Sequence, residues 1–353
     1  MGFVKKKMAL KCLLACVFYM ALLLSARAHH AEIGIDTESL VEFEGRVTEF
    51  SWRNPHVYIV VNLAEDETEW TVQTSSTLTM TRVGWNRDSL SVGDYVTVRA
   101  NPAQDGRSYG ILRTIEKEGG IVLPTSFDSD SGEPLLNQPE VTALAETMSG
   151  RWRADTSKLD TYPGGFDGFF HANMNLTEKG RISQSGYNAL SFDNPASRCI
   201  GPPAPALIIY TNLYPLEIQI NDEDNTVVFR TEYFDELRTV YMDGREHPDS
   251  GVRFPGGHSI GRWEGDVLTV ETRLFSDHRS PYQIGVPSGS QKHLVERYQL
   301  IDGGARVTVE FVLEDPEYML EPLTHTRELI YSPEVEMVRF GCNQESTQRF
   351  VPG

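Results

Sequence analysis

Histidine and carboxylate side chains are what this sequence offers for chemistry, and their placement decides which kind. His258, Glu271, His293 and Glu296 lie on or beside the most strongly alternating stretches of the chain, with His247 in a turn ahead of them and His278 between. An imidazole facing a carboxylate can share a proton and serve as general acid and base, or can orient a ligand's hydroxyl or carboxylate. Near the N-terminus, His29, His30 and His56 offer three further imidazoles. Cleavage ahead of His29 would let its α-amino group and ring chelate together, a nitrogen-rich set that suits Cu(II). Neither group sits in a complete reaction signature: the sequence holds no phosphate loop, nucleophile elbow, CxxC or HExxH, and no motif specifies a cofactor.

The elements that must position these groups are strands. Gly256–Phe275 is written as a hairpin. Ser259, Gly261 and Trp263 alternate with His258, Ile260 and Arg262; Glu264-Gly265-Asp266 makes the turn; Leu268, Val270, Thr272 and Leu274 alternate with Val267, Thr269, Glu271 and Arg273. His293–Ile301 and Arg306–Leu313 follow as strands, Thr226–Tyr233 and Glu236–Met242 precede, and Leu323–Tyr331 and Val335–Cys342 come last. Alternation pairs His258 with Arg262, Glu271 with Arg273, and His293 with Arg297. Those faces are either the polar lumen of a barrel or an outer wall carrying cross-strand charge pairs. A meander this long is expected to close on itself, because closure removes its unpaired edges.

Upstream, Leu40–Phe50 with a kink at Gly45, Val57–Leu63, Glu69–Thr74, Tyr95–Ala100 and Gly110–Glu116 read as five short strands, with a helix expected near Leu78–Trp85. Five such strands describe a small OB-like barrel. Ile121–Glu133 has linker composition, and Pro139–Met148 carries Val141, Leu144, Ala145 and Met148 on a helical stripe. The fold class expected is all-β: an OB-like domain over 29–120, a linker over 121–138 and a larger antiparallel β-barrel over 139–353, which a resemblance given below makes lipocalin-like.

Lys5, Lys6 and Lys7, the apolar run Met8–Leu24 and the small residues before His29 read as a signal peptide over 1–28. That implies a periplasmic or secreted protein with no integral membrane span after cleavage. Loss of that segment removes five basic and no acidic side chains, leaving 27 basic against 50 acidic residues, a net charge of −23. Such a surface repels polyanions, which sets nucleic acid aside as a partner. Cys12 and Cys16 leave with the segment, so Cys199 and Cys342 remain and are expected to pair in an oxidising compartment.

Two resemblances add to this reading. The segment from His29 to about Glu116, with Gly45-Arg46-Val47, Trp52-Arg53-Asn54-Pro55-His56, Gly84-Trp85 and Val92-Gly93-Asp94, resembles a family of bacterial exported domains of unknown function. That family's His-His-Ser-Phe start is His29-His30-Ala31-Glu32 here. From about Gly150 to Cys342 the chain resembles a second exported family of unknown reaction, carried by Arg198–Pro203 (RCxxPP), Asp243–Pro248 (DGRxHP), Gly257–Asp266 (GHSIGRWEGD) and Val295–Tyr298. A run into Gly150-Arg151-Trp152 is similar to the start of lipocalin-like barrels, where the Trp plugs the closed end.

The function expected is binding of a small, partly apolar ligand in the C-terminal barrel, with Trp152, Tyr241, His247, His258, Trp263, Glu271, His293 and Tyr298 as the binding residues. An enzyme using His258, His293 and Glu271 in the lumen is one alternative. Copper binding or an envelope interaction through His29, His30 and His56 is the other.

Overall fold

The alternation of the first segment produces five strands that close on themselves. A computed structural model describes residues 34–65, 68–123, 139–161, 169–249, 251–279 and 285–350. It contains β1 (Val41–Ser51), β2 (Tyr58–Leu63), β3 (Glu69–Gln73), β4 (Tyr95–Pro102), β5 (Tyr109–Lys117) and β6 (Ile121–Leu123), in the order β3-β2-β1-β4-β5-β6. Parallel pairing of β3 with β5, Thr71 beside Tyr109, closes the first five into a small barrel. Val47, Ile59, Val61, Val96 and Ile115 fill it, and the helix Thr77–Arg82 lowers Met80 onto that core. Ser76 caps the helix, its Oγ accepting from the Thr79 N–H at 3.2 Å. A Cβ on Gly45 would lie 2.2 Å from the Asn62 carbonyl oxygen, so β1 and β2 approach there because the residue is glycine.

Nine further strands form the larger closed barrel: β7 (Gly150–Ala154), β8 (Leu216–Asn221), β9 (Thr226–Thr231), β10 (Leu237–Tyr241), β11 (His258–Glu264), β12 (Val267–Arg273), β13 (His293–Ile301), β14 (Arg306–Glu314) and β15 (Leu323–Tyr331). The β11–β12 hairpin has the expected register, from His258 opposite Arg273 to Glu264 opposite Val267, and turns at Gly265 with φ +68°. One pair departs from the antiparallel expectation. The connection leaving Tyr241 crosses back before β11, so β10 and β11 run parallel, with Val240 beside Ser259. Leu268, Val270, Val307 and Val309 point inward against Trp152 and Phe229. The far end of the barrel is capped by the long β7–β8 connection, whose Phe169, Phe170, Ala206 and Ile209 pack on Phe275, Leu294 and Phe311.

Three local expectations are corrected. Residues 139–148 form no helix; Ala145 instead donates its N–H to the Gly304 carbonyl at 2.9 Å, and that tertiary bond holds the stretch out of helical geometry. Val335–Cys342 is not a strand, because carboxylates accept its N–H groups: Val338 donates to Glu232 at 2.9 Å, and Phe340 and Gly341 to Asp235 at 2.8 and 3.0 Å. Within the stretch read as linker, β6 pairs with β5.

The barrels share an interface built from both ends of the second one. Tyr214 donates to Ser76 Oγ at 2.8 Å and accepts from Thr79 Oγ1 at 3.2 Å, while Arg82 pairs with the buried Glu232. The final helix, Gln344–Phe350, lays Phe350 on Tyr58 with centroids 4.5 Å apart. Cys199 and Cys342 are joined, their Cα atoms 5.8 Å apart, which ties the β7–β8 connection to this tail.

Candidate functional site

The lumen of the nine-stranded barrel contains a buried polar layer. Arg238 on β10 donates to Ser259 Oγ at 2.9 Å, to Thr272 Oγ1 at 2.6 Å and to both oxygens of Glu296, the Nη1 bond being 3.0 Å. Tyr298 donates to Glu296 at 2.9 Å and stacks on Phe229. Burial pushes the Tyr298 phenol far above its ordinary range, with Glu296 adding to the effect. These groups complete one another and leave the layer internally satisfied.

On the outer wall, a second polar group forms where β11, β12, β13 and β14 run side by side. Inward positions are taken by Ser259, Thr272 and Leu294, so alternation turns His258, Glu271, Arg273 and His293 outward. The β10–β11 connection lays His247 over this row. Its Nδ1 lies 2.9 Å from Nδ1 of His258, and its Nε2 lies 3.9 Å from Glu271 Oε1. His293 places Nε2 3.2 Å from the same Glu271 oxygen and Nδ1 3.4 Å from Glu314. Arg273 donates Nε to Glu271 at 2.6 Å. Tyr241 stacks on His258 with centroids 5.3 Å apart, and the Arg245 guanidinium sits 3.9 Å from the Tyr241 ring centre. The row through Glu271 is otherwise apolar: Ile260 and Val295 flank it in register, and Val312 lies beyond Val295.

The electrostatics disfavour protonation of the two touching rings. Burial lowers the His247 imidazole, with His258 adding to the effect; burial and then Arg245 lower His258. Burial acts to raise the Glu271 carboxyl, but the Arg273 hydrogen bond and charge, with His293 and His247, hold it below the ordinary carboxylate range. Nε2 of His247 and Nε2 of His293 are buried and lack a hydrogen-bond partner. Proton sharing and ligand orientation are the two things such a group can do.

Of the residues expected to bind ligand, the structure therefore brings Tyr241, His247, His258, Glu271 and His293 together, on the outer wall. The alternative that set His258, Glu271 and His293 to work in the lumen is corrected by strand parity, which gives the lumen to their neighbours. Trp152 and Tyr298 are elsewhere, in the lumen. Trp152 is fully buried, donates Nε1 to the Met148 carbonyl at 3.0 Å and tilts against Tyr331, so it serves the core. Trp263 stands at the end of β11, 45% exposed. His29 and His30 lie outside the described residues. His56 turns Nδ1 toward the Thr74 carbonyl at 3.2 Å, and burial lowers its pKa to about 4. Among the described residues no three His, Cys, Asp or Glu side chains form a group able to hold a metal ion.

Sequence reasoning missed the Arg238–Glu296 pair and Lys292. A signal existed for the first: alternation puts each charge on the same strand face as large apolar or aromatic residues, Arg238 with Val240 and Glu296 with Leu294 and Tyr298. Lys292 is buried, with Nζ 3.2 Å from Ser288 Oγ and 4.7 Å from the Phe275 ring centre, and burial lowers its pKa to about 7. No helix among the described residues is long and apolar enough to cross a membrane.

No curated protein matches the chain. A solved structure, secretory abundant heat soluble protein 4 from Ramazzottius varieornatus, aligns at 9% identity over 54% of this chain and 99% of its own, with a TM-score of 0.26. That likeness is too low to carry an argument. Residues 18–113 match a family of unknown function (DUF6152), so the similarity reaches into β5 of the small barrel and stops short of the histidine wall.

Proposed function

We propose that the protein is an exported small-molecule-binding protein whose ligand rests on the outer wall of the nine-stranded barrel, at Tyr241, His247, His258, Glu271 and His293. One observation carries this reading: two buried imidazole nitrogens, Nε2 of His247 and of His293, approach the same carboxylate oxygen without a hydrogen bond. A buried polar atom left unpaired costs about 1–3 kcal/mol, and an outer wall packs more stably with apolar or solvated side chains. Ile260, Val295 and Val312 supply the apolar side of the site, which suits a partly apolar molecule with one polar head. Export is supported by the basic and apolar N-terminal stretch and by the Cys199–Cys342 bridge.

Native mass spectrometry of protein purified from its own host tests the reading. The native chain should carry an adduct that His293→Ala and His247→Ala lose while keeping the native melting temperature. An adduct retained equally by both variants, or no adduct in any preparation, overturns it. A second reading, acid–base chemistry at the same wall, is favoured by His293 lying between Glu271 and Glu314. The same measurement separates the two, since binding leaves the mass of the retained molecule unchanged and turnover does not.

A further inference from the structure

Two imidazoles in direct contact can hold only a limited number of protons. At the 2.9 Å between Nδ1 of His247 and Nδ1 of His258, one ring donates and the other accepts, so the contact requires one bare nitrogen. Glu271 on the Nε2 side of His247 favours the tautomer with hydrogen on Nε2, which leaves its Nδ1 to accept and makes His258 the donor. The connection that carries His247 is pinned by backbone hydrogen bonds near its ends, Met242 to Asn225 at 2.8 Å and Phe254 to Leu274 at 2.9 Å. Between them, the ties to the rest of the barrel include Arg245 on the Tyr241 ring and the His247 ring against His258 and Glu271, and, beyond Asp249, Arg253 donating to the Ser290 carbonyl at 3.4 Å.

We propose that the His247–His258 contact is an acid-sensitive clasp, which holds the Asp243–Asp249 segment over the candidate site at neutral pH and releases it in acid. The proposal rests on the placement of the binding site at this wall and supplies its regulation. His258 faces Arg245; His247 faces Glu271, Arg273 and His293. Glu271 opposes release, but it is shared with Arg273 at 2.6 Å and His293 at 3.2 Å, and Arg245 is itself held by Asp243. When both rings are protonated the shared hydrogen bond is lost and two positive charges face each other at 2.9 Å. Even at the screening of bulk water that repulsion weakens the contact about tenfold. Opening withdraws His247 from Glu271, the carboxylate it shares with His293.

Hydrogen–deuterium exchange of the full chain at about pH 4 and about pH 7.5, the acid arm set well below the ordinary histidine range because burial lowers both rings, reads the clasp after correction for intrinsic rates. The Asp243–Asp249 peptide should lose about tenfold protection in acid, with β13 and β14 unchanged, and His258→Asn should abolish the difference. Equal protection at both pH values, or an unchanged difference in His258→Asn and His247→Asn, overturns the clasp. Imidazole nitrogen-15 titration of the native chain removes dependence on the variants: the two Nδ1 signals should change in step with exchange, and their titration with no change in exchange overturns it equally. Native mass spectrometry at about pH 7.5 keeps the two claims apart. An adduct without a pH effect defeats the clasp alone, and a pH effect without an adduct defeats the binding reading alone.

Discussion

Glu296→Gln leaves the buried Arg238 guanidinium without its carboxylate. The magnitude follows from the contacts: Glu296 has no solvent exposure, accepts two hydrogen bonds from Arg238 and one from Tyr298, and the arginine cannot shed its charge. Removing one partner of a buried pair costs about 3–5 kcal/mol, and Arg238→Met should cost a similar amount. The double variant Arg238→Met/Glu296→Leu should cost less than either single change. It strands only the Tyr298 hydroxyl, worth about 1–3 kcal/mol, because Ser259 and Thr272 still bond each other at 2.9 Å. Urea titration of the non-reduced chain, followed by far-ultraviolet circular dichroism, gives all three values. Additive single effects, or a Glu296→Gln loss under about 1 kcal/mol, would refute the idea that the layer stands as one unit.

Reducing Cys199–Cys342 should lower stability by up to about 5 kcal/mol, the chain-entropy value for a loop of this length, without loss of strand signal; an unchanged urea midpoint counts against it. Acid should destabilise the fold through neutral buried histidines. Burial lowers His56 and His278 to about 4 and His325 to about 3, below the unfolded value, so their stabilisation is complete above about pH 6.5 and is lost as pH falls toward those values. Each contributes a slope of about 1.4 kcal/mol per pH unit within that window, and a urea midpoint flat from about pH 6.5 to 4.5 would contradict the assignment.

What was legible in the sequence was local. The β11–β12 hairpin follows from alternation around Glu264-Gly265-Asp266; Gly45, expected as a kink, instead marks a close approach of β1 to β2, and the irregularity of β1 falls between Val47 and Glu49. What decided the site was not local. Alternation defines two faces of a strand without saying which is inward; Thr272 and Glu296 face in, while Ile260 and Val295 face out among charges. His247 reaches His258 because the β10–β11 connection crosses to make a parallel pair, a choice no residue in the turn announces. The stretches 139–148 and 335–342 carried helix and strand patterns, but Gly304, Glu232 and Asp235 claimed their backbone groups.

The final helix has a consequence for the order in which the molecule is made. Ser346 meets Ser51 across 295 positions, Arg349 meets Glu49 across 300, and Phe350 covers Tyr58 and, with Leu190, the outer apolar face of the small barrel. At synthesis rates of about 5–20 residues per second, that face waits on the order of 15–60 s for its cover. Contacts of such long sequence separation also form late once the whole chain is present, because loop closure must precede them. The first barrel to be translated is therefore completed only with the last helix, and during the interval its Tyr58 and Val60 surface is left for a chaperone to cover.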